Sequence, residues 1–148
     1  MRTSVTLPAL LLTTFAAGLT VGAAVGRRDR APVDPRQAPR VFELRTYTTA
    51  PGRLPALQAR FRGHTLGLFA RHGMTNVGYW VPQDSAHAQN TLVYLLAHPS
   101  REAARQSWAA FGQDPEWQRV QAASEADGKI VEHVESVFLD PTDFSPLR

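Results

Sequence analysis

The sequence predicts one α+β domain with a ferredoxin-like order, βαββααβ, that begins at residue 41. Three observations support this fold class. Four segments are rich in β-branched and aromatic residues and alternate apolar with polar side chains, as strands do. Between strands one and two, and again between three and four, apolar residues recur at helical steps of three and four. Gly and Pro mark the boundaries. Such an order forms a four-stranded antiparallel sheet with helices on one face.

The first half of the domain is predicted to contain three strands and one helix. Residues 41–48 form the first strand, which ends at the Pro51-Gly52 turn. A single helix is expected over residues 54–72, with Gly73 as its C-terminal stop. Its apolar face consists of Leu54, Leu57, Phe61, Thr65, Leu68 and Phe69. Residues 75–81 and 91–97 are two further strands that suit an antiparallel pair.

The second half is predicted to contain two helices and the last strand. Ser100 caps a helix that stops at Gly112, with Trp108 among its inward residues. The tripeptide Asp114-Pro115-Glu116 caps a shorter helix. After a turn at Asp127-Gly128, residues 130–139 form the fourth strand.

The sheet face away from the helices needs a cover that this chain does not supply. The apolar residues expected near that face or its facing surface are Trp80, Val93, Leu95, Val134 and Phe138. Such a face is too apolar to remain in water. We therefore predict a homodimer that packs sheet to sheet.

Charge and cysteine content exclude several classes of function. The net charge of +3 comes from residues 1–40, which hold six Arg against two Asp, whereas the rest of the chain is slightly acidic. The folded part therefore has no basic stripe for nucleic acid, and we predict no nucleic-acid partner. The absence of cysteine excludes disulfides, thiolate nucleophiles and iron–sulfur clusters.

The N-terminal segment predicts export or membrane anchoring. Residues 7–26 carry no charge and are rich in Leu, Ala and Gly, and Arg2 precedes them. Residues 1–26 are either a cleaved signal peptide or a membrane anchor of about 30 Å. Residues 27–40 are a linker rich in Pro and Arg. The expected location is periplasmic, extracellular or anchored to the membrane, and membrane contact occurs only through this segment if it stays uncut.

Several motifs of residues 41–148 together resemble the NIPSNAP family. They are Glu43-Leu44-Arg45-Thr46-Tyr47 with Gly52, His64 to Phe69 with His72-Gly73-Met74, Gly78-Tyr79-Trp80, Asn90 to Leu96, Pro99 to Glu102, Ser107-Trp108, and Asp114 to Trp117. The resemblance implies a dimeric α+β barrel, a fold shared with cofactor-independent monooxygenases and with haem-binding or haem-degrading proteins. It implies no settled reaction, because the fold hosts several functions.

The first strand carries the main candidate ligand-binding residues. Glu43, Arg45 and Tyr47 share one face because side chains alternate along a strand. We expect the opposite, apolar set of Phe42, Leu44 and Thr46 to meet the helices, so that these three point into the barrel lumen. Arg45 then needs a carboxylate, from Glu43 or Glu135. The trio forms either a pocket for an anion or carbonyl, or a structural ion pair that fixes the strand register.

Two further residues complete the candidate site. His64 lies near the apolar face of the first predicted helix, where it is either a general base or haem ligand, or a buried His bonded to backbone. Trp80 is able to stack on a flat ligand or to fill the core. The five His residues have no metal-ligand spacing, so no metal site is predicted, no cofactor is named and no catalytic residue is assigned.

Three functions remain open from the sequence. The first is a dimeric small-molecule-binding module with its pocket in the barrel lumen. The second is a cofactor-independent monooxygenase-type or haem-handling enzyme that uses His64 and Arg45. The third is a non-catalytic dimeric scaffold. A well-formed wet cavity at Arg45 and His64 favours the first two, whereas a filled lumen favours the third.

Overall fold

A computed structural model describes residues 40–84 and 87–148 of the chain. The predicted leader, residues 1–26, and the predicted linker except Arg40 lie outside the described residues. Within the described ranges, no helix is long and apolar enough to cross a membrane.

The described chain is an α+β domain with a four-stranded antiparallel sheet, which confirms the predicted fold class. Along the sheet the strands lie in the order β2-β3-β1-β4, and each neighbouring pair is antiparallel. The elements are β1 (Val41–Thr49), α1 (Leu54–Arg60), α2 (Leu66–Arg71), β2 (Thr75–Trp80), β3 (Thr91–His98), α3 (Arg101–Gln113), α4 (Pro115–Ser124) and β4 (Val131–Leu139).

The first predicted helix is interrupted, contrary to expectation, by a π-helical turn. This π segment, Phe61–Thr65, joins α1 to α2. The backbone N–H of Leu66 donates to the carbonyl of Phe61, five residues earlier, and Thr65 Oγ1 donates to the carbonyl of Arg60 at 3.3 Å. A π turn holds one residue more than an α turn. Apolar spacing of three and four residues does not reveal that extra residue.

The helices α3 and α4 meet at a corner set by Asp114. Ser100 Oγ accepts a hydrogen bond from Ala103 N at 3.0 Å, so the predicted cap is confirmed. The predicted stop at Gly112 is wrong, since α3 continues to Gln113. The helix ends because Asp114, which precedes Pro115, has extended backbone. Asp114 Oδ1 accepts from Glu116 N at 2.8 Å and caps α4 as predicted.

The two faces of β1 are the reverse of the expectation. Arg45 pairs with Tyr94 and Tyr47 with Leu92, and both partners belong to the core between the sheet and the helices. Glu43, Arg45 and Tyr47 therefore face the helices, and the apolar alternate residues face away. Alternation shows which residues share a face, but it does not show which face meets the helices.

The sheet face away from the helices, called the outer face below, is apolar and partly exposed. Trp80 and Val137 lie on it with 52% and 53% of their surface exposed. Residues of the C-terminal tail line a space of about 310 Å³ together with Phe42 and Leu95, so the tail lies against this face. Val134 and Phe138 instead lie on the helix side, because they pair with Tyr47 and Glu43.

Candidate functional site

The carboxylate of Glu43 is the centre of a buried polar cluster. Its side chain is 1% exposed. Oε1 accepts hydrogen bonds from Arg45 Nη1 at 2.6 Å and Ser136 Oγ at 2.7 Å. Oε2 accepts from Trp108 Nε1 at 2.7 Å and from His98 Nε2 at 3.0 Å. Each oxygen thus receives two donors, which satisfies both.

These hydrogen bonds keep Glu43 ionised. Burial alone would raise the pKa of its carboxyl, but the donors from His98, Trp108, Ser136 and Arg45 outweigh burial and hold the pKa at about 2, below its ordinary 4.5. An ionised carboxylate only accepts, so His98 Nε2 carries the proton in this contact. The network therefore joins β1, β3, β4 and α3 around one negative charge.

The predicted pairing of Arg45 with Glu43 is confirmed. The Arg45 guanidinium carbon also lies 4.1 Å from the Trp108 ring centroid, and Nη2 lies 3.5 Å from the Tyr47 hydroxyl. The alternative partner, Glu135, is 67% exposed and contacts His133 at 3.5 Å. Arg45 thus makes its ion pair and its stacking contact on the helix side of the sheet, not in a lumen on the outer face.

A cavity of about 280 Å³ lies between the sheet and the helices. Tyr47 contributes to its wall and also contacts Arg45, so this side chain links the cavity to the Glu43 cluster. Five of the thirteen lining residues are aromatic. They are Tyr47, Phe61, Phe69, Phe111 and Trp117. Thr65, Val131 and Val134 add small polar or aliphatic surface.

Arg60 forms part of the cavity wall and is 5% exposed. Its Nη1 donates to Glu125 Oε1 at 3.1 Å and to Ser124 Oγ at 3.2 Å. Its guanidinium carbon lies 5.2 Å from the Trp117 ring centroid. Since Glu125 also lines the cavity, the pair neutralises two of the charges in the wall.

The other two predicted site residues lie elsewhere. His64 is exposed and lines an open groove between α1 and α4, so its expected place on the apolar face is wrong. The extra residue of the π segment changes the rotation of the helix at this point. Trp80 lies on the outer face, where its indole covers Gly78. The structure brings Glu43, Arg45 and Tyr47 together and separates His64 and Trp80 from them.

Sequence reasoning missed His98, Ser136 and most of the cavity wall. One signal was present for Trp108, which was expected to face inward. A buried indole N–H needs an acceptor, and Glu43 was the carboxylate available in the first strand. The cavity residues come from two strands, four helices, the π segment and the turn before β4, so no local pattern groups them.

The charged and His side chains do not form a metal centre in the part of the chain that is described. No group of three His, Asp or Glu residues lies close enough there to hold an ion.

A family model settles the relationship of the domain to known proteins. The NIPSNAP model matches residues 42–146. The chain belongs to the NIPSNAP family. The resemblance drawn from the motifs is thus confirmed, and the NIPSNAP match covers nearly all of the described chain.

Solved structures share this NIPSNAP fold. A NIPSNAP family protein of unknown function from Agrobacterium tumefaciens str. C58 has a TM-score of 0.64 and 24% identity, covering 75% of this chain and 96% of its own. A NIPSNAP domain protein from Burkholderia xenovorans has a TM-score of 0.60 and 25% identity, covering 72% and 98%.

A protein with a named activity shares the fold at lower similarity. SnoaB from Streptomyces nogalater, a cofactor-independent oxygenase, has a TM-score of 0.50 and 16% identity, covering 74% of this chain and 99% of its own. At that identity the likeness concerns the fold alone. No curated protein sequence matches the chain.

Proposed function

We propose that this NIPSNAP domain is a small-molecule-binding module whose ligand occupies the cavity between the sheet and the helices. The observation that carries the proposal is the lining of five aromatic side chains around about 280 Å³. Ligand pockets are mostly apolar, contain a few polar groups and usually begin at about 300 Å³. The cavity is slightly smaller than that, so the ligand is small.

This site replaces the lumen expected from the sequence. Arg45 and Tyr47 face the helices, and only Tyr47 lines the cavity. Arg45 supports the site from behind through its contact with the Tyr47 hydroxyl. A ligand in the cavity therefore meets the phenol ring, whereas the guanidinium stays paired with Glu43.

The alternative enzyme with His64 and Arg45 in one pocket gains no support from the geometry. His64 lines the groove, and Arg45 lies in the Glu43 cluster. The oxygenase likeness adds only the shared fold. A non-catalytic scaffold is the outcome if the cavity holds no ligand.

The homodimer also remains a proposal, based on the outer face. Trp80, Val137 and Leu139 are large exposed apolar residues on this face. His133 and Glu135 lie on the same face, 3.5 Å apart. A partner of matching chemistry must be equally apolar, and a second copy of the same face meets that requirement. The ligand cavity lies within one protomer, so dimerisation and ligand binding are separable.

Native mass spectrometry of the full-length protein from its own host tests the binding function. We expect a small mass that is released on denaturation. Val134→Trp adds a ring at the cavity wall from an exposed position and should remove the retained mass. Val137→Trp adds the same ring to the same strand on the outer face and should keep it.

Two results would contradict ligand binding in this cavity. If the protein from its host carries no ligand, and its backbone amide NMR signals do not move on addition of indole, the binding function is refuted. If Val134→Trp and Val137→Trp retain the same mass equally, the ligand lies outside this cavity.

A further inference from the structure

The rim of the aromatic cavity carries two charged side chains that have no ion partner. Lys129 and Glu132 both line the cavity and are exposed. Neither makes an ion pair or a side-chain hydrogen bond with any residue in 40–84 or 87–148. They are three positions apart, yet they do not pair with each other. The other two charges of the lining, Arg60 and Glu125, neutralise one another.

Free charges of opposite sign at one apolar cavity match a ligand that is itself zwitterionic. A ligand with one charge would face an attractive and a repulsive side chain at the same rim. A ligand with both an ammonium and a carboxylate group meets Glu132 and Lys129 respectively. The side-chain amide of Gln121, which also lines the cavity, provides an uncharged donor and acceptor beside them.

We propose that the cavity binds an aromatic amino acid or a close chemical relative. The ring is placed among Phe61, Phe111 and Trp117, and the zwitterionic head is placed at Lys129 and Glu132. This inference rests on the proposed function, since it names the ligand class of the same cavity. It adds the requirement that both charges of the ligand contribute to affinity.

Four probes that share one ring test this requirement. L-tryptophan has both charges, tryptamine lacks the carboxylate, indole-3-propionate lacks the ammonium group, and indole lacks both. Titrations of the full-length protein, followed by backbone amide NMR, give each dissociation constant. Exposed charge pairs contribute about 0.2–1 kcal/mol, so each lost charge should weaken binding by about 1.4- to five-fold. L-tryptophan should bind most tightly and indole most weakly.

Two charge-neutralising variants assign the contacts. Lys129→Gln should weaken the binding of L-tryptophan and indole-3-propionate and leave the affinity for tryptamine unchanged. Glu132→Gln should weaken the binding of L-tryptophan and tryptamine and leave the affinity for indole-3-propionate unchanged. Arg119→Gln, which removes a cation from the groove, and Glu135→Gln, on the outer face of β4, are matched controls that should change no affinity.

The outcomes separate the ligand class from the function. If indole binds as tightly as L-tryptophan, or if the two variants weaken all four probes alike, the zwitterionic ligand class is overturned while the binding function stands. If none of the four probes shifts the backbone amide NMR signals of the cavity residues in the wild-type protein, the ligand class is overturned. The proposed function is overturned as well only if the protein from its host also carries no ligand.

Discussion

Glu43→Gln should destabilise the domain more than Arg45→Met, although both break the same ion pair. The carboxylate accepts four hydrogen bonds. An amide has one oxygen, and its NH₂ group must face two of the four donors whichever way it turns. Removing one member of a buried pair costs about 3–5 kcal/mol. We expect about 3 kcal/mol, because Arg45 is 15% exposed and keeps some hydration.

Arg45→Met leaves the carboxylate with three donors, from Ser136, Trp108 and His98. The negative charge is therefore not stranded, and the Met side chain is able to cover the Trp108 ring. The expected cost is about 1.5 kcal/mol, the lower end for a hydrogen bond to a charged group. In the double variant the amide oxygen is able to accept from Trp108 and His98 while its NH₂ group donates to Ser136 Oγ, so its stability should lie between those of Glu43→Gln and Arg45→Met.

Urea unfolding at neutral pH, followed by far-UV circular dichroism, measures these free energies. If Arg45→Met costs as much as Glu43→Gln, the other donors do not hold the carboxylate and the network argument is refuted. Recovery of wild-type stability in the double variant would show that the ion pair alone accounts for the cluster.

Three further predictions concern acid stability, assembly and the leader. The pKa of Glu43 is about 2 in the folded protein and 4.5 ordinarily, so its contribution is complete above pH 4.5 and is lost as pH falls towards 2. Unfolding free energy should fall by about 3 kcal/mol over that window, and a Glu43→Gln variant that shows the same fall would contradict this assignment. Sedimentation velocity should show a dimer for the wild type and a monomer for Val137→Lys, whereas Ala109→Lys, at an exposed position of α3, should remain a dimer. A wild-type monomer at tens of micromolar rejects the interface. N-terminal sequencing of protein from its own host should show cleavage near residue 26 or, for an anchored chain, Met1 in the membrane fraction, whereas cytosolic protein with Met1 contradicts export.

The strands were predictable because their side chains alternate over a run of residues. All four observed strands lie within one residue of the predicted bounds at each end. Capping by Ser100 and Asp114 was also readable, since each cap depends on a side chain and the next three residues. The π segment was not predictable, because Thr65 and its neighbours keep a helical spacing in both an α turn and a π turn.

The site was predictable only in part. The Arg45–Glu43 pair followed from two residues on one strand face, since a buried guanidinium requires a carboxylate. The side of the sheet did not follow, because both faces of β1 are largely covered. Phe42 is buried on the outer face, and Glu43 is buried on the helix side. The cavity depends on how α4 and β4 approach the π segment, which is a property of packing and not of any local motif.

The π segment also sets the angular phase of the helix on each side of it. An α-helix advances about 100° per residue, so one added residue offsets every later side chain by that angle. With the extra residue, α1 buries Leu54 and Leu57 while α2 buries Leu68 and Phe69. The wider π turn absorbs that residue, so a relative that lacks one residue between 61 and 65 would form an ordinary α turn and keep both faces in phase with the sheet. Alignment with such a relative should place a gap here, and the turn provides a landmark for comparing cavity walls.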